Sequence, residues 1–467
     1  MNIPKEVKEI CKTLKDNGYE AYIVGGAVRD MLLNRPPHDF DITTNARPEE
    51  VSRLFKCYPS GLKFGTVTAL LGEEQYEITT FRKDGDYTDG RHPKDVMFAD
   101  TIEEDLSRRD FTINAMAYDV IENRLIDPFN GYEDMHNKDT NCGLIRTVGD
   151  PGERFSEDAL RMMRAARFRA QLGYEIEGRT YDAICDLHKN IDHLSKERIR
   201  DELTKTLTAP NASDGIRILR DTQILKQISP VLDEMFYCEQ RNRWHYTNVG
   251  DHTLDVLDNL SDRKPALCFA ALLHDIGKME AKILKTNGED GFYGHADISA
   301  RLSDELLRNF KFSGEEREHI VALVKEHSTV HHRPASLRRF AAAHGKDFLT
   351  DLHYLQLADA KAHTAEFVKE AVEEKELFYK QCIGYIEDGT AIRIRDLKID
   401  GNDLLNMGLK GKQIGECLEH LYADCLGHPA ANKREHLLQM AGIYAKNILV
   451  EEEKDKLFVW DNEEIER

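Results

Sequence analysis

Asp39 and Asp41 stand two apart in His38-Asp39-Phe40-Asp41-Ile42-Thr43, where polar and apolar residues alternate strictly. That spacing predicts a strand over 38–43 with both carboxylates on one face and Phe40 and Ile42 on the other. Two carboxylates on one rigid face can share two magnesium ions, a pair that clamps the attacking and leaving oxygens of a phosphoryl transfer. Glu77, between Tyr76 and Ile78 in a second alternating segment, offers a third carboxylate. Taken alone, alternating acids equally mark the wet face of an edge strand. Their neighbours shift the balance. Gly25-Gly26 follows the apolar run Ala21-Tyr22-Ile23-Val24 and precedes a helical stretch. It predicts a tight turn whose backbone N–H groups, at the positive end of a helix dipole, can cradle phosphate. Arg29 falls on the first turn of that helix.

These residues need a scaffold, and residues 1–138 supply an α/β pattern. Val7, Ile10, Cys11 and Leu14 recur at helical spacing. Ala27 to Leu33 continues as a helix until Asn34-Arg35-Pro36-Pro37 breaks it. Lys63 to Leu71 and Tyr76 to Phe81 predict a hairpin across Gly72-Glu73-Glu74. Residues 83–95, KDGDYTDGRHPKD, read as a polar, glycine-rich loop. After Pro151 apolar residues recur at i, i+3, i+4, and the helical pattern runs to an acidic tail at 451–453 and 463–464.

Composition bounds the function. With 41% hydrophobic and 32% charged residues, the 467-residue chain buries a sizeable core and is too apolar to be disordered as a whole. A net charge of −20 argues against a uniformly basic nucleic-acid coat and leaves room for a local basic face. The nine cysteines never form CxxC, which reads as reduced thiols without a thiolate zinc site. The longest apolar stretch, Ala266–Leu273, is far short of the roughly 18 residues of a membrane span. The N-terminus lacks the apolar core of a secretory signal. Both point to a cytoplasmic protein with no membrane partner.

The segment IVGGAVRDMLLNRPPHDFDITT resembles the head-domain signature of the class II tRNA nucleotidyltransferases and their poly(A) polymerase relatives, within the DNA polymerase beta superfamily. Arg108-Arg109-Asp110-Phe111-Thr112-Ile113-Asn114-Ala115 resembles that family's second motif. Glu157-Asp158-Ala159-Leu160-Arg161, continued by Arg164-Ala165-Ala166-Arg167-Phe168, resembles its nucleotide-reading motif. The resemblance implies template-independent addition of C, C and A to the 3′ end of tRNA from CTP and ATP. Asp39, Asp41 and Glu77 would be catalytic, with Mg²⁺ on the aspartates. Gly25, Gly26, Arg29, Arg108, Arg109, Asp110, Asn114, Asp158, Arg161, Arg164 and Arg167 would bind the nucleotide. In the family a loop at 83–95 goes with the ability to add the final A. An A-adding enzyme and a poly(A) polymerase share these motifs and stand as alternatives.

Chemistry suggests how bases are chosen. Asp158 and Arg161, three apart on a predicted helix, share a face. A carboxylate accepts from the exocyclic amine that cytosine and adenine both present, and a guanidinium donates to the acceptor beside it. Uracil and guanine place an oxygen against the carboxylate, a mismatch that can yield discrimination on the order of 10⁴. The plainer reading is a surface i,i+3 salt bridge.

A second chemistry lies downstream. His252, His274-Asp275 and Asp359 follow the order seen in HD-domain metal phosphohydrolases, and the text ALCFAALLHDIGK is an apolar helix ending in the His-Asp pair. Two imidazoles and two carboxylates can hold a divalent cation such as Mg²⁺, Mn²⁺ or Ni²⁺. His245, His295 and His327 are candidates for a second metal. An HD phosphohydrolase with an RNA-binding N-terminal region is the alternative of another class. In the tail, Lys410, Gly411 and Lys412 resemble a C-terminal motif of bacterial tRNA nucleotidyltransferases and suit a tRNA phosphate. A proline usually precedes the glycine where this chain has Lys410. Arg161, Arg164, Arg167 and Arg169 in the neck, and Arg333, Arg338 and Arg339, are further basic clusters.

The expected fold class is α+β. A polymerase-beta-like nucleotidyltransferase head with a small mixed sheet occupies 1–138. An all-helical neck (139–205), body (206–244), HD-type domain (245–390) and tail (391–467) follow. The HD unit is therefore an insertion between body and tail.

Overall fold

The computed structural model describes residues 3–58, 65–83, 97–137 and 142–447. All but Lys83 of the 83–95 loop, the start of the hairpin strand at Lys63, and the acidic tail lie outside the described residues.

The head is built on a seven-stranded sheet. Helix α1 (Lys5–Asp16) buries Val7, Ile10, Cys11 and Leu14 against it. Strand β1 (Ala21–Val24) is buried along its whole length, which is why its sequence is unbroken apolar. Helix α2 (Gly26–Leu32) leaves the glycine turn as expected. Strand β2 (Asp41–Thr44) runs antiparallel to β1, with Val24 opposite Asp41. The register therefore sets the glycine turn beside the second aspartate. The strand starts at Asp41 and not at His38, because β1 turns away at Gly25 and offers no partner further back. Phe40 still packs on the core and Asp39 stays exposed, so the alternation survives without the hydrogen bonds.

Strands β3 (Cys57–Tyr58), β4 (Thr66–Leu71) and β5 (Glu74–Thr80) complete one edge. Strands β4 and β5 form the expected hairpin, with Leu71 opposite Glu74. Strand β5 runs parallel to β2 with Ile42 opposite Ile78, so the sheet is mixed and Glu77 precedes that pair on β5. Ala117–Asp119 and Arg124–Ile126 close the other edge.

Beyond the head the regular structure of the described residues is helical but for two short strand pairs. Leu144–Ile145 lies parallel to Glu175–Ile176, and Ile283–Leu284 forms a hairpin with Asp290–Gly291. Each strand is two residues long, too short for any periodicity to reveal. One apolar core runs from the head through the helices that carry the histidines. The tail has a core of its own, from Leu397 to Ala445. Helix Pro334–Lys361 breaks at Gly345 (φ 77°) and carries Arg338 on one arm and Asp359 on the other. Arg338 donates to Leu426 O at 2.8 Å and its guanidinium lies over the Tyr385 ring, so it fastens the tail and is not a free phosphate contact. Among the described residues no helix is long and apolar enough to cross a membrane.

Candidate functional site

A cleft of about 850 Å³ opens between the head sheet and the helices that follow it. Gly25, Gly26, Arg29, Asp39, Asp41, Arg108, Arg109, Asp110, Asn114, Asp158, Arg161, Arg164 and Arg167 all line it. Glu77 does not, and reaches the site only as a charge near Asp41. Gly25 has φ 73°, and a Cβ there would stand 2.9 Å from Arg109 Nη1 and 3.9 Å from Asp41 Oδ2. Glycine is thus required both by conformation and by the close approach of the groups it separates. Its own N–H donates to Met116 O at 3.3 Å. Burial, then Asp39, then Glu77 push the Asp41 carboxyl up, against Arg109. Like charges held together in this way suit a cation.

A polar network floors the cleft. Arg29 Nη1 donates to Asn114 Oδ1 at 2.6 Å, and Asn114 Nδ2 donates to Asp110 Oδ1 at 3.3 Å. Arg164 Nε donates to Asp110 Oδ2 at 2.6 Å. Burial alone would raise Asp110, but Arg164 and these donors hold it at about 2. Arg167 meets Glu202 at 3.1 Å, and burial together with Arg164 lowers its pKa to about 10. Phe168 presents its ring to three guanidiniums, Arg29 and Arg164 at 5.4 Å and Arg167 at 4.4 Å. The neck arginines are therefore balanced in place, Arg169 by Glu175 and Asp214. They form no bare basic stripe.

Asp105 is the residue that sequence reasoning missed here. It is fully buried and holds Arg108 at 2.9 Å and Arg109 at 3.3 Å, aiming both at the cleft. Its spacing of three and four from the two arginines, which follow the end of its helix at Ser107, was the available signal.

Asp158 corrects a second expectation. It does not share a helix with Arg161. It caps the end of helix Pro151–Glu157 with φ −147°, and the next helix starts at Leu160. Its Oδ1 accepts from Leu160 N at 3.0 Å, and its Oδ2 from Arg198 Nη2 at 2.7 Å. Arg161 pairs instead with Glu157 and donates to Arg154 O at 3.1 Å and Arg108 O at 2.9 Å. The i,i+3 salt bridge is absent, yet both side chains line the cleft. Arg198 lies 40 residues away in sequence, and no local pattern joins it to Asp158.

The second centre is buried in the helices. His252, His274 and Asp275 bring one ligand atom each to a common point, and Asp275, His295 and His327 do so at another. Asp275 serves both. Its Oδ2 lies 3.2 Å from His274 Nε2 and 3.7 Å from His252 Nε2, and its Oδ1 lies 3.3 Å from His295 Nε2 and 3.8 Å from His327 Nε2. Asp359 Oδ1 stands 3.0 Å from His252 Nε2. His274, His295 and His327 each set Nδ1 within 2.9 Å of the carbonyl three residues earlier. A carbonyl only accepts, so Nδ1 carries the proton and the Nε2 lone pair faces inward, as in metal-ligating histidines. Asp275 Oδ1 and His274 Nε2 are buried without a hydrogen-bond partner. These orphaned acceptors fit one or two divalent cations. Burial, with His274 beside it, lowers His327 to about 3, which keeps it neutral.

The glycine after His274-Asp275-Ile276 has its own reason. A Cβ on Gly277 would stand 2.5 Å from Ser299 N and 2.6 Å from His295 O, so glycine lets the His295 helix close on the centre. Lys278 Nζ reaches Asp275 Oδ2 and Gln240 Oε1, both at 2.6 Å. His245 packs its ring 4.6 Å from that of His252 and belongs to neither ligand group. Lys410, Gly411 and Lys412 are exposed on the tail and line neither centre.

Known proteins divide the chain along similar lines. The family described as "Poly A polymerase head domain" matches residues 21–140. "Probable RNA and SrmB- binding site of polymerase A" matches 173–236, and "HD domain" matches 245–364. A CCA-adding enzyme of Lactobacillus helveticus is 50% identical over 220 residues, 47% of this chain and 54% of that protein. One from Enterococcus faecalis is 46% identical over 236 residues, 50% of this chain and 56% of that protein. The matched part of the chain spans about half the length of these curated relatives. The crystal structure of the Bacillus stearothermophilus CCA-adding enzyme in complex with CTP is 28% identical, covers 98% of this chain and 100% of that one, and superposes with a TM-score of 0.67. The Thermotoga maritima CCA-adding enzyme complexed with tRNA shares the fold at 22% identity, 94% and 95% coverage and a TM-score of 0.54.

Proposed function

Because this chain belongs to the class II tRNA nucleotidyltransferase and poly(A) polymerase family, we propose that it adds C, C and A to the 3′ end of tRNA from CTP and ATP. The observation that carries this reading is the convergence on one cleft of Asp39 and Asp41, the glycine turn, and Asp158 with Arg161. Asp39 and Asp41 are the residues that would hold magnesium, which when bound activates the 3′-hydroxyl and neutralises the triphosphate. Arg108 and Arg109, aimed by Asp105, meet the phosphates, and Arg29 and Asn114 meet the ribose side. The tRNA 3′-oxygen bonds to the α-phosphorus, and the bond from that phosphorus to the bridging oxygen breaks to release pyrophosphate. Asp158 accepts the exocyclic amine of C or A. Arg161 donates to the neighbouring ring acceptor once a base displaces one of its carbonyl partners. Lys410 and Lys412 contact tRNA phosphate on the tail.

The test is incubation with Mg²⁺ and tRNA lacking its 3′ CCA, offering CTP and ATP singly and together at single-nucleotide resolution. Three added residues with both, and two with CTP alone, support CCA addition. Growth only on tRNA ending in CC makes it an A-adding enzyme, a long adenosine ladder makes it a poly(A) polymerase, and no growth refutes the reading.

The bridging position of Asp275 favours a second activity, a metal phosphohydrolase at the HD centre. Hydrolysis of a phosphate ester by the wild type and not by H274A tests it.

A further inference from the structure

Asp158 sits at the break between two helices, with extended backbone (φ −147°, ψ 104°). The last torsion of an aspartate is broad, so one hydrogen bond does not fix the plane of its carboxylate. Here each oxygen has its own donor. Leu160 N holds Oδ1 at 3.0 Å, and Arg198 Nη2 holds Oδ2 at 2.7 Å. The first donor belongs to the helix Leu160–Leu172 and the second to the helix Lys196–Leu207, so the carboxylate is gripped between two elements.

Arg198 is itself well placed. Its N–H donates to Ser195 Oγ at 3.4 Å, which sets it in the first turn of its helix. Ile199 and Leu203 bury that helix in the core. Arg200 lies about 200° further round the helix. Its Nη1 donates to Lys311 O at 2.6 Å, and its guanidinium is 5.7 Å from the Phe312 ring centre. Arg198 therefore lines the cleft from a helix held on its far side.

Both partners of Asp158 only donate, so both oxygens must accept, and the lone pairs left toward the cleft can only accept as well. The two side chains are each 19% exposed, so the pair is fixed and still open to a ligand. Arg198 Nη1 is buried without a partner. An unpaired buried donor costs free energy, so the guanidinium is not turned to satisfy itself.

We propose that Arg198 is a positioning residue for base selection. By fixing the carboxylate plane of Asp158, it keeps a lone pair aimed at the exocyclic amine of C or A. It thereby denies uracil and guanine the turned carboxylate, or the bridging water, that would tolerate their oxygen. This rests on the base-reading role given to Asp158 above.

Single-nucleotide incorporation on tRNA lacking its 3′ CCA gives kcat/KM for CTP and for UTP in the wild type, R198Q, R198K, D158N and D158N/R198Q. The ratio of the two does not depend on the active fraction, so partial unfolding cannot mimic the effect. R198Q is expected to cut the CTP preference about 10–100-fold. R198K, which keeps a charged donor for Oδ2, should lose less. An asparagine has one oxygen for two donors, so in D158N the anchor is already broken. Adding R198Q to D158N should then change the ratio by less than about twofold. An Arg198 that only holds the fold would slow CTP and UTP alike. An unchanged ratio in R198Q, or fully additive losses in the double variant, overturns the inference, while loss of preference in D158N upholds the reading beneath it. A preference that survives D158N, or no extension by the wild type, overturns both.

Discussion

In the head cleft, carboxylates meet arginines. In the HD centre, they meet imidazoles. Asp105 and Asp110 are each answered by guanidiniums that cannot lose their charge, and the cleft stays open to about 850 Å³. Asp275 is answered by four imidazole nitrogens and one lysine, all buried but the half-buried His295. Permanent cationic charge around an open cleft suits a polyanion that enters and leaves. Inward-facing imidazole nitrogens around a buried carboxylate suit a resident cation. The same residue type, aspartate, is thus given two different tasks by its neighbours.

Disturbing one side should spare the other. A large effect is expected on base choice. D158N replaces an acceptor with a group that both donates and accepts, and it should cut the preference for CTP over UTP by on the order of 10²–10³. Single-nucleotide incorporation kinetics measure that ratio, and HD-site hydrolysis should not move.

D105A removes the buried partner of two half-buried guanidiniums. A loss of about 3 kcal/mol in unfolding free energy is expected, because both are left uncompensated at the cleft wall. Denaturant titration reads it. A loss below about 1 kcal/mol would mean that solvent reaches Arg108 and Arg109 and that Asp105 does not position them.

G277A acts on the other centre. The added methyl meets backbone at 2.5 Å, and the His295 helix must shift, at about 1–3 kcal/mol. Divalent-cation uptake measured by calorimetry should fall, while nucleotide incorporation persists.

The smallest effect is a pH dependence. Asp110 is held at about 2, below its usual 3.8, by Arg164 working against burial. A depressed carboxyl stabilises the fold above its unfolded value and loses that contribution as pH falls toward 2. The shift corresponds to about 2 kcal/mol. Thermal unfolding between pH 5 and pH 2 should show it, and R164Q should flatten that part of the profile.

The same contrast explains what was legible in the sequence. Gly25-Gly26, Asp39 and Asp41 lie in one strand–turn–helix–strand unit, and His274-Asp275 are adjacent, so local pattern reached them. Asp105 was within reach, three and four residues from its arginines. Arg198 was not, since its tie to Asp158 depends on how two helices pack. Nor could spacing show that Asp275 faces two histidine pairs with opposite oxygens, because that depends on four helices converging. The start of β2 was placed three residues early, since alternation reports burial and not hydrogen bonding.

The most direct test sets D41A beside H274A in the tRNA extension assay, each with CTP and ATP. Transfer at the head cleft requires that D41A lose incorporation by about a thousandfold, the several kcal/mol that metal-held charge supplies, and that H274A extend tRNA at the wild-type rate. Extension by D41A, or its loss in H274A, would contradict that assignment.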